Sequence, residues 1–181
     1  MPLTITDKQQ IFKGKFMKVW GTTFLDKEGG EHVWEWIEKK DIAMILALTN
    51  DNKAVLIKIF RVPLERYAIE LPAGLLDKDG ENIEEAVRRE LLEETGYEIE
   101  KIYSLPATAY ASGGANNLVH SFIGTGAKKV VNNHGDETED ISVIEVPVEQ
   151  LVEFYLNNTD SLFNIKILAL YQVALSKGLI K

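Results

Sequence analysis

The 181-residue chain contains no cysteine, which excludes disulfides and thiolate metal centres and favours a cytoplasmic setting over an oxidising one. Basic residues are in deficit, 20 against 28 acidic, and the net charge of −8 would repel a nucleic-acid backbone. No apolar run approaches membrane-spanning length, and the opening MPLTITDKQQ lacks the charged-then-apolar order of a secretory leader. There is no internal repeat and no low-complexity tract. Of the three histidines, His32 and His120 lack metal-ligand spacing, and His134 reads as a solvated loop residue rather than a base. A cytoplasmic protein with neither nucleic acid nor membrane as partner is expected. Its length and 45% hydrophobic content suffice for one ordinary core.

The hydrophobic pattern predicts strands first. Lys15 to Leu25 is rich in β-formers, Asp26-Lys27-Glu28-Gly29-Gly30 is a turn, and His32 to Glu38 alternates. His32, Trp34 and Trp36 then share a face. Two fates are open to the tryptophans: packing on a core or subunit interface, or stacking on the base of a ligand. Ile42 to Thr49 and Ala54 to Arg61 read as a hairpin of buried strands around Asn50-Asp51-Asn52. It ends in a cation, Arg61, which is either a solvated strand end or a phosphate contact. Tyr67 to Leu71 is a short strand leading into Pro72-Ala73-Gly74. Tyr97–Leu105, Leu118–Gly124 and Ile141–Val146 are further strands. Helices are expected over 82–95, from Pro147 to Leu156, and from Ser161 to Lys177. The class is α+β, with a mixed sheet between helices as an α/β/α sandwich.

The stretch from Glu70 to Tyr97 concentrates the chemistry. Asn82 with Glu85 forms a capping-box pattern, Gly96 a left-handed stop, and Ile83, Ala86, Val87 and Leu91 an apolar stripe. Glu90, Glu93 and Glu94 lie at i, i+3 and i+4, so they share a helical face and repel by roughly a few tenths of a kcal/mol per pair. The i,i+4 pairs Glu85–Arg89 and Arg89–Glu93 offset part of this. A hard divalent cation with oxygen ligands offsets more.

The spacing from Arg89 to Tyr97 matches REUXEEXGU, where U is bulky and apolar, and Glu81 precedes Arg89 by seven intervening residues. The stretch resembles the signature GX5EX7REUXEEXGU of the Nudix hydrolase family, with one extra residue between Gly74 and Glu81. Together with ELPAG, the strand ending in Arg61 and the N-terminal strand pair, it looks like the ADP-ribose pyrophosphatase branch. That resemblance implies a Nudix-like fold. Residues 1–40 would be an N-terminal strand region for dimerisation and substrate, and 41–181 the hydrolase domain.

The resemblance further implies Mg²⁺, with Mn²⁺ as an alternative, held by Glu90, Glu93, Glu94 and the carbonyl of Ala73. Glu139 or Glu137 would serve as base, with Glu93 assisting, and Arg89 and Glu81 would brace the helix. Arg61, Trp34, Trp36, Gly113 and Gly114 would contact substrate. The branch carries Ser-Pro-Gly and a following glutamate after the motif, where this chain has Ser112-Gly113-Gly114 and Asn117. The implied reaction is hydrolysis of a nucleoside diphosphate linked to another group, ADP-ribose to AMP and ribose 5-phosphate, by a homodimer. The alternatives are another nucleotide sugar such as GDP-mannose, or a non-catalytic nucleotide-binding regulator.

Overall fold

The structure, a computed structural model, describes residues 3–132 and 140–180. In chain order the strands are β1 (Thr4–Lys13), β2 (Lys18–Leu25), β3 (Glu31–Glu38), β4 (Ile42–Thr49), β5 (Lys53–Arg61), β6 (Arg66–Glu70) and β7 (Ala73–Leu75). Helix α1 (Ile83–Thr95) follows, then β8 (Tyr97–Glu98), β9 (Lys101–Ser104), β10 (Thr108–Ala109), β11 (Leu118–Lys129) and β12 (Ile141–Pro147). The chain closes with α2 (Leu151–Asn157), β13 (Leu162–Phe163) and α3 (Lys166–Ser176). Contacts divide it into two units: Met1–Asp41 with Ala107–Val119, and Ile42–Pro106 with His120–Lys181.

The first unit holds the antiparallel sheet β1-β2-β3. The β2–β3 turn forms because the Asp26 carboxylate accepts from the amides of Glu28 and Gly30 (2.9 and 2.8 Å) and pairs with His32. Gly29 takes the left-handed conformation at φ 86°. The β2–β3 register sets Trp20 against Trp36 and Thr22 against Trp34, so the predicted alternation of β3 holds. The first strand begins further upstream than the composition of Lys15–Leu25 suggests. Thr4–Lys13 pairs with β2 although all ten of its residues are exposed, so no buried face marks it in the sequence.

In the second unit, β4 and β5 do not form the long hairpin expected. They pair only at Ala47–Val55 and Leu48–Ala54 and then diverge. β6 takes over the vacated edge of β5, and β7 pairs with β4 from Met44–Ala73 to Ile42–Leu75. The chain crosses between the two strands at Leu71-Pro72. Proline there costs no ladder donor, and its carbonyl still accepts from Ile45 N at 3.1 Å. Opposite, β12 runs along β5 from Lys53 to Ile59.

Helix α1 buries Ala86, Val87 and Leu91, the last two in one cluster with Ala43, Ile45, Ala47, Tyr97, Ile99 and Phe122. Full burial of Val87 and Leu91 contributes about 1.5–3 kcal/mol each. Both ends of α1 form as the sequence predicts. The Asn82 side chain accepts from Glu85 N while Glu85 accepts from Asn82 N, and Gly96 caps the C-terminus at φ 74°.

Three further elements differ from the sequence-based expectation, one being the helix expected from Pro147, which becomes α-helical only at Leu151. The predicted strand over 97–105 is split into β8 and β9. The expected helix from Ser161 begins only at Lys166, because Leu162–Phe163 pairs in parallel with Ala68–Ile69 and makes the sheet mixed. Among the described residues no helix is long and apolar enough to cross a membrane.

Candidate active site

The divergence of β4 and β5 creates the setting. It brings Pro72-Ala73-Gly74 out of β6 and under one face of α1. The fit is close: a Cβ built on Gly74 would lie 2.0 Å from Cδ of Glu90 and 2.2 Å from its Oε1. Glycine is demanded here by the carboxylate rather than by backbone conformation. One residue earlier, the amide of Ala73 donates to Oε2 of Glu94 at 3.0 Å. The helix and the turn are thus joined by two of the three signature carboxylates.

Arg89 organises the remaining charge. Its Nε and Nη2 donate to both oxygens of Glu81 at 2.9 and 3.0 Å, a fork-to-fork pair across the N-terminal turn. Its Nη1 donates to Glu90 at 2.6 Å and to Glu93 at 2.8 Å. Arg89 therefore ties Glu81, Glu90 and Glu93 together. The expected Glu85–Arg89 pair is replaced: Glu85 completes the capping box, and Arg88 pairs with Glu84 instead.

The electrostatics follow from burial. Hydrogen bonding from Arg89 holds the Glu81 carboxyl below its ordinary value. Burial pushes Glu90 up, and Arg89 only partly opposes this. The surrounding carboxylates in turn hold Arg89 firmly charged.

The donor set suits a hard divalent cation in chemical type, since Glu90, Glu93 and Glu94 offer only carboxylate oxygen and the missing side chain at Gly74 makes room for the Glu90 carboxylate. The side chains are not converged on one point, however. Glu90 and Glu93 turn to Arg89 while Glu94 turns to Ala73, and among the described residues no three acidic or imidazole groups form a ready cage. The shared direction expected from helical spacing holds for the backbone positions, and the side-chain rotamers divide.

At the end of β5, Arg61 donates from Nε and Nη2 to the two oxygens of Glu70, both at 2.9 Å. Sequence reasoning misses Glu70, and the β5–β6 register offers no signal, since it sets Glu70 opposite Ile57 and Arg66 opposite Arg61. Glu137, Glu139 and His134 lie outside the described residues.

In the first unit the two tryptophans part company. Trp36 stacks on Trp20 (centroids 6.0 Å apart), with Lys8 Nζ 4.4 Å from its ring, and its indole donates to Thr22. Trp34 is 55% exposed and donates from its indole nitrogen to the carbonyl of Gly113 at 2.9 Å. This bond joins residues 79 apart in the chain. Side chains built on Gly113 or Gly114 would meet nothing within 4 Å, so packing does not require glycine at either position. Ile37 N donates to Gly114 O at 2.8 Å, and Asn116 accepts from Lys39 N.

A glycine turn under a helix that presents glutamates in this spacing defines a hydrolase of the Nudix class. The chain belongs to the NUDIX domain family, whose profile matches residues 21–170. Among similar proteins, the methanol dehydrogenase activator of Bacillus methanolicus is 33% identical over 81% of this chain and 79% of its own length. The ADP-ribose pyrophosphatase of Bacillus subtilis (strain 168) is 34% identical with the same coverages. The GDP-mannose pyrophosphatase of Enterobacter sp. (strain 638) is 32% identical over 81% of this chain and 82% of its own. A crystal structure described as an ADP compounds hydrolase superposes with a TM-score of 0.79 over 98% of this chain and 96% of its own, at 22% identity, which shows the shared fold.

Proposed function

We propose that the protein hydrolyses the diphosphate of ADP-ribose, giving AMP and ribose 5-phosphate, in a Mg²⁺-dependent reaction. The observation that carries this reading is the apposition of Glu90 and Glu94 to the Gly74-Ala73 turn, which sets acidic oxygens around one backbone corner. The identity shared with the ADP-ribose pyrophosphatase of Bacillus subtilis supports the choice of substrate.

In this reading Glu90, Glu93, Glu94 and the Ala73 carbonyl hold the cation. When bound, it neutralises the diphosphate and lowers the pKa of water. Glu139 or Glu137 orients the attacking water and takes its proton. One P–O bond forms to the water oxygen and the bridging P–O bond breaks, so the atoms of one water are divided between the two monophosphates. Arg61, held flat by Glu70, binds phosphate oxygens in the geometry that a guanidinium suits. Trp34, pinned at its edge by Gly113 with its ring half exposed, stacks on the base, and Trp36 stiffens the sheet behind it. Arg89 and Glu81 brace the helix. Most of the acceleration comes from positioning and charge stabilisation.

The assembly in this reading is a cytoplasmic homodimer joined through the N-terminal strands. The exposed edge strand β1 and the exposed Ile5, Ile11 and Phe12 support it. Sedimentation at micromolar concentration tests it: twice the 20.4 kDa chain mass is expected.

The near-equal identity to a GDP-mannose pyrophosphatase favours a second substrate, GDP-mannose, for the same site. A panel of ADP-ribose, GDP-mannose and other nucleotide sugars, with the released monophosphate identified, separates the two. AMP released fastest from ADP-ribose supports the first reading; faster GMP release from GDP-mannose overturns it in favour of the second.

A further inference from the structure

The outer end of the β5–β6 pair carries a cation that this reading does not use. The register sets Arg66 directly opposite Arg61, Ala68 opposite Ile59, and Glu70 opposite Ile57. Alternate residues of a strand share a face, so these side chains all project from one side of the pair. The Arg61–Glu70 fork agrees, because it closes along that face, over the Ile59–Ala68 step. Like charges set opposite each other on paired strands are unfavourable. Arg61 meets this by leaning back to Glu70, toward the turn that begins at Pro72. Arg66 is exposed, and among the described residues its side chain makes no hydrogen bond or ion pair.

The connection between the two arginines is strained as well. The chain turns through Val62–Leu64 and enters β6 by way of Glu65, which has a side chain yet is held at φ 50°, ψ 32°. A left-handed conformation in such a residue stores strain, and strain of this kind collects at ligand sites. The Glu65 amide closes the turn on the Val62 carbonyl at 3.2 Å. The result is that Arg66 comes back against Arg61, in register, rather than away from it.

We propose that Arg66 is a specificity residue for a phosphate monoester carried on a ribose of the substrate, outside the scissile diphosphate. The inference rests on the reading above, in which Arg61 holds the diphosphate. Glu70 and Arg66 stand at opposite ends of β6, roughly 13 Å apart. That is the scale of a sugar phosphate attached to the diphosphate rather than of the diphosphate itself. An exposed guanidinium with its N–H donors uncommitted suits a phosphate monoester, which brings more charge and more acceptor oxygens than the hydroxyl it replaces.

The test compares ADP-ribose with the same compound carrying one phosphate monoester, on the 2′ oxygen of the adenosine or on the 1″ oxygen of the distal ribose, as substrates of the full chain with Mg²⁺. Wild type is expected to use one phosphorylated isomer with kcat/KM at least about tenfold above that for ADP-ribose, and the isomer preferred identifies the ribose that faces β6. Arg66→Ala is expected to abolish the preference while kcat/KM for ADP-ribose stays within about twofold of wild type, and Arg66→Lys to recover part of it. The melting temperature of Arg66→Ala is expected to be unchanged or higher, since an opposed like charge is removed. A wild type without preference for either isomer, or a preference that survives in Arg66→Ala, overturns the inference and leaves the hydrolysis of ADP-ribose standing. Calorimetric titration of both chains with the three compounds in EDTA separates binding from catalysis. Tighter binding of one phosphorylated isomer, lost in Arg66→Ala, supports the phosphate site even where no compound is turned over, an outcome that overturns the proposed reaction instead. Equal binding of all three compounds by both chains overturns the inference.

Discussion

Gly74 and Glu90 occupy the same space, in the sense that no side chain can be added to the one without displacing the other: the nearest approach of a built Cβ is 2.0 Å, to Cδ of Glu90. The glycine that opens the signature is thereby explained by a carboxylate on the second half of the helix it lies under.

Gly74→Ala should therefore leave a folded protein and an impaired enzyme. The obstructing atoms belong to a flexible side chain, so the fold gives way by rotating Glu90 out, at a cost of about 1–3 kcal/mol. Activity with saturating Mg²⁺ should fall at least about tenfold, the scale of losing one positioned ligand. Thermal unfolding and specific activity, measured together, check this; full activity with normal stability would contradict it.

Replacing Arg89 tests the charge arrangement. Its side chain is 20% exposed and serves Glu81 and Glu90, themselves 18% and 17% exposed. Arg89→Ala should destabilise the fold, because it leaves Glu81 and Glu90 without the cation they share. Arg89→Lys should recover only part, since a lysine cannot reproduce the fork on Glu81. Millimolar Mg²⁺ should raise the melting temperature of Arg89→Ala more than that of wild type, because it replaces the lost positive charge. Equal shifts in both would argue against a cation among these glutamates.

The capping box offers a change away from the chemistry. Asn82→Ala removes the acceptor for Glu85 N and should cost about 1 kcal/mol, seen as roughly 2–4 °C in melting temperature for a chain of this size. Asn82→Gly should cost only a few tenths, roughly. Activity at room temperature should be unchanged in both, and a loss there would show that the helix N-terminus matters to catalysis.

Alkaline stability follows from Tyr97. The ring is 3% exposed, and burial, with the Glu145 carboxylate it donates to, pushes the phenol up to about 12 from 10.0. A raised folded-state value stabilises fully below the unfolded value and is lost as pH climbs through the folded one. Wild type should lose stability between about pH 10 and 12, and Tyr97→Phe should lose less over that window. Glu145 works in the opposite sense: Tyr97 and Lys53 hold it below its ordinary 4.5, so its contribution is present above that pH and fades in more acidic solution. Melting temperature against pH for wild type, Tyr97→Phe and Glu145→Gln reads both limbs.

Both caps of helix α1 and most of its apolar stripe are legible in the sequence, because they are set by local periodicity, although Ile83, expected in the stripe, is exposed. The alternation that puts Trp34 and Trp36 on one face is legible for the same reason. What fails are features decided by distant partners. β1 is fully exposed and carries no period to read. Leu162–Phe163 becomes a strand only because Ala68–Ile69 has a free edge. The parting of β4 from β5, which positions Ala73 and Gly74, reflects competition between β5, β6 and β7 that two apolar runs cannot announce. Glu85 could serve either the cap or Arg89, and geometry gives it to the cap. Arg61 can be recognised as a strand-end cation, but its bidentate partner Glu70 cannot.

The most direct test of the account is hydrolysis of ADP-ribose by Glu94→Gln beside wild type, with released AMP followed in the presence and absence of Mg²⁺. The amide introduced by this substitution can still accept from the Ala73 N–H, so the turn is kept while the charge is lost. Wild type should require the metal, and Glu94→Gln should lose at least about a hundredfold in kcat with an unaltered melting temperature, the scale expected when a group acting on transition-state charge is removed. A Glu94→Gln enzyme as active as wild type, or wild-type turnover undiminished by a chelator, would contradict the assignment of this helix as a metal-dependent pyrophosphatase centre.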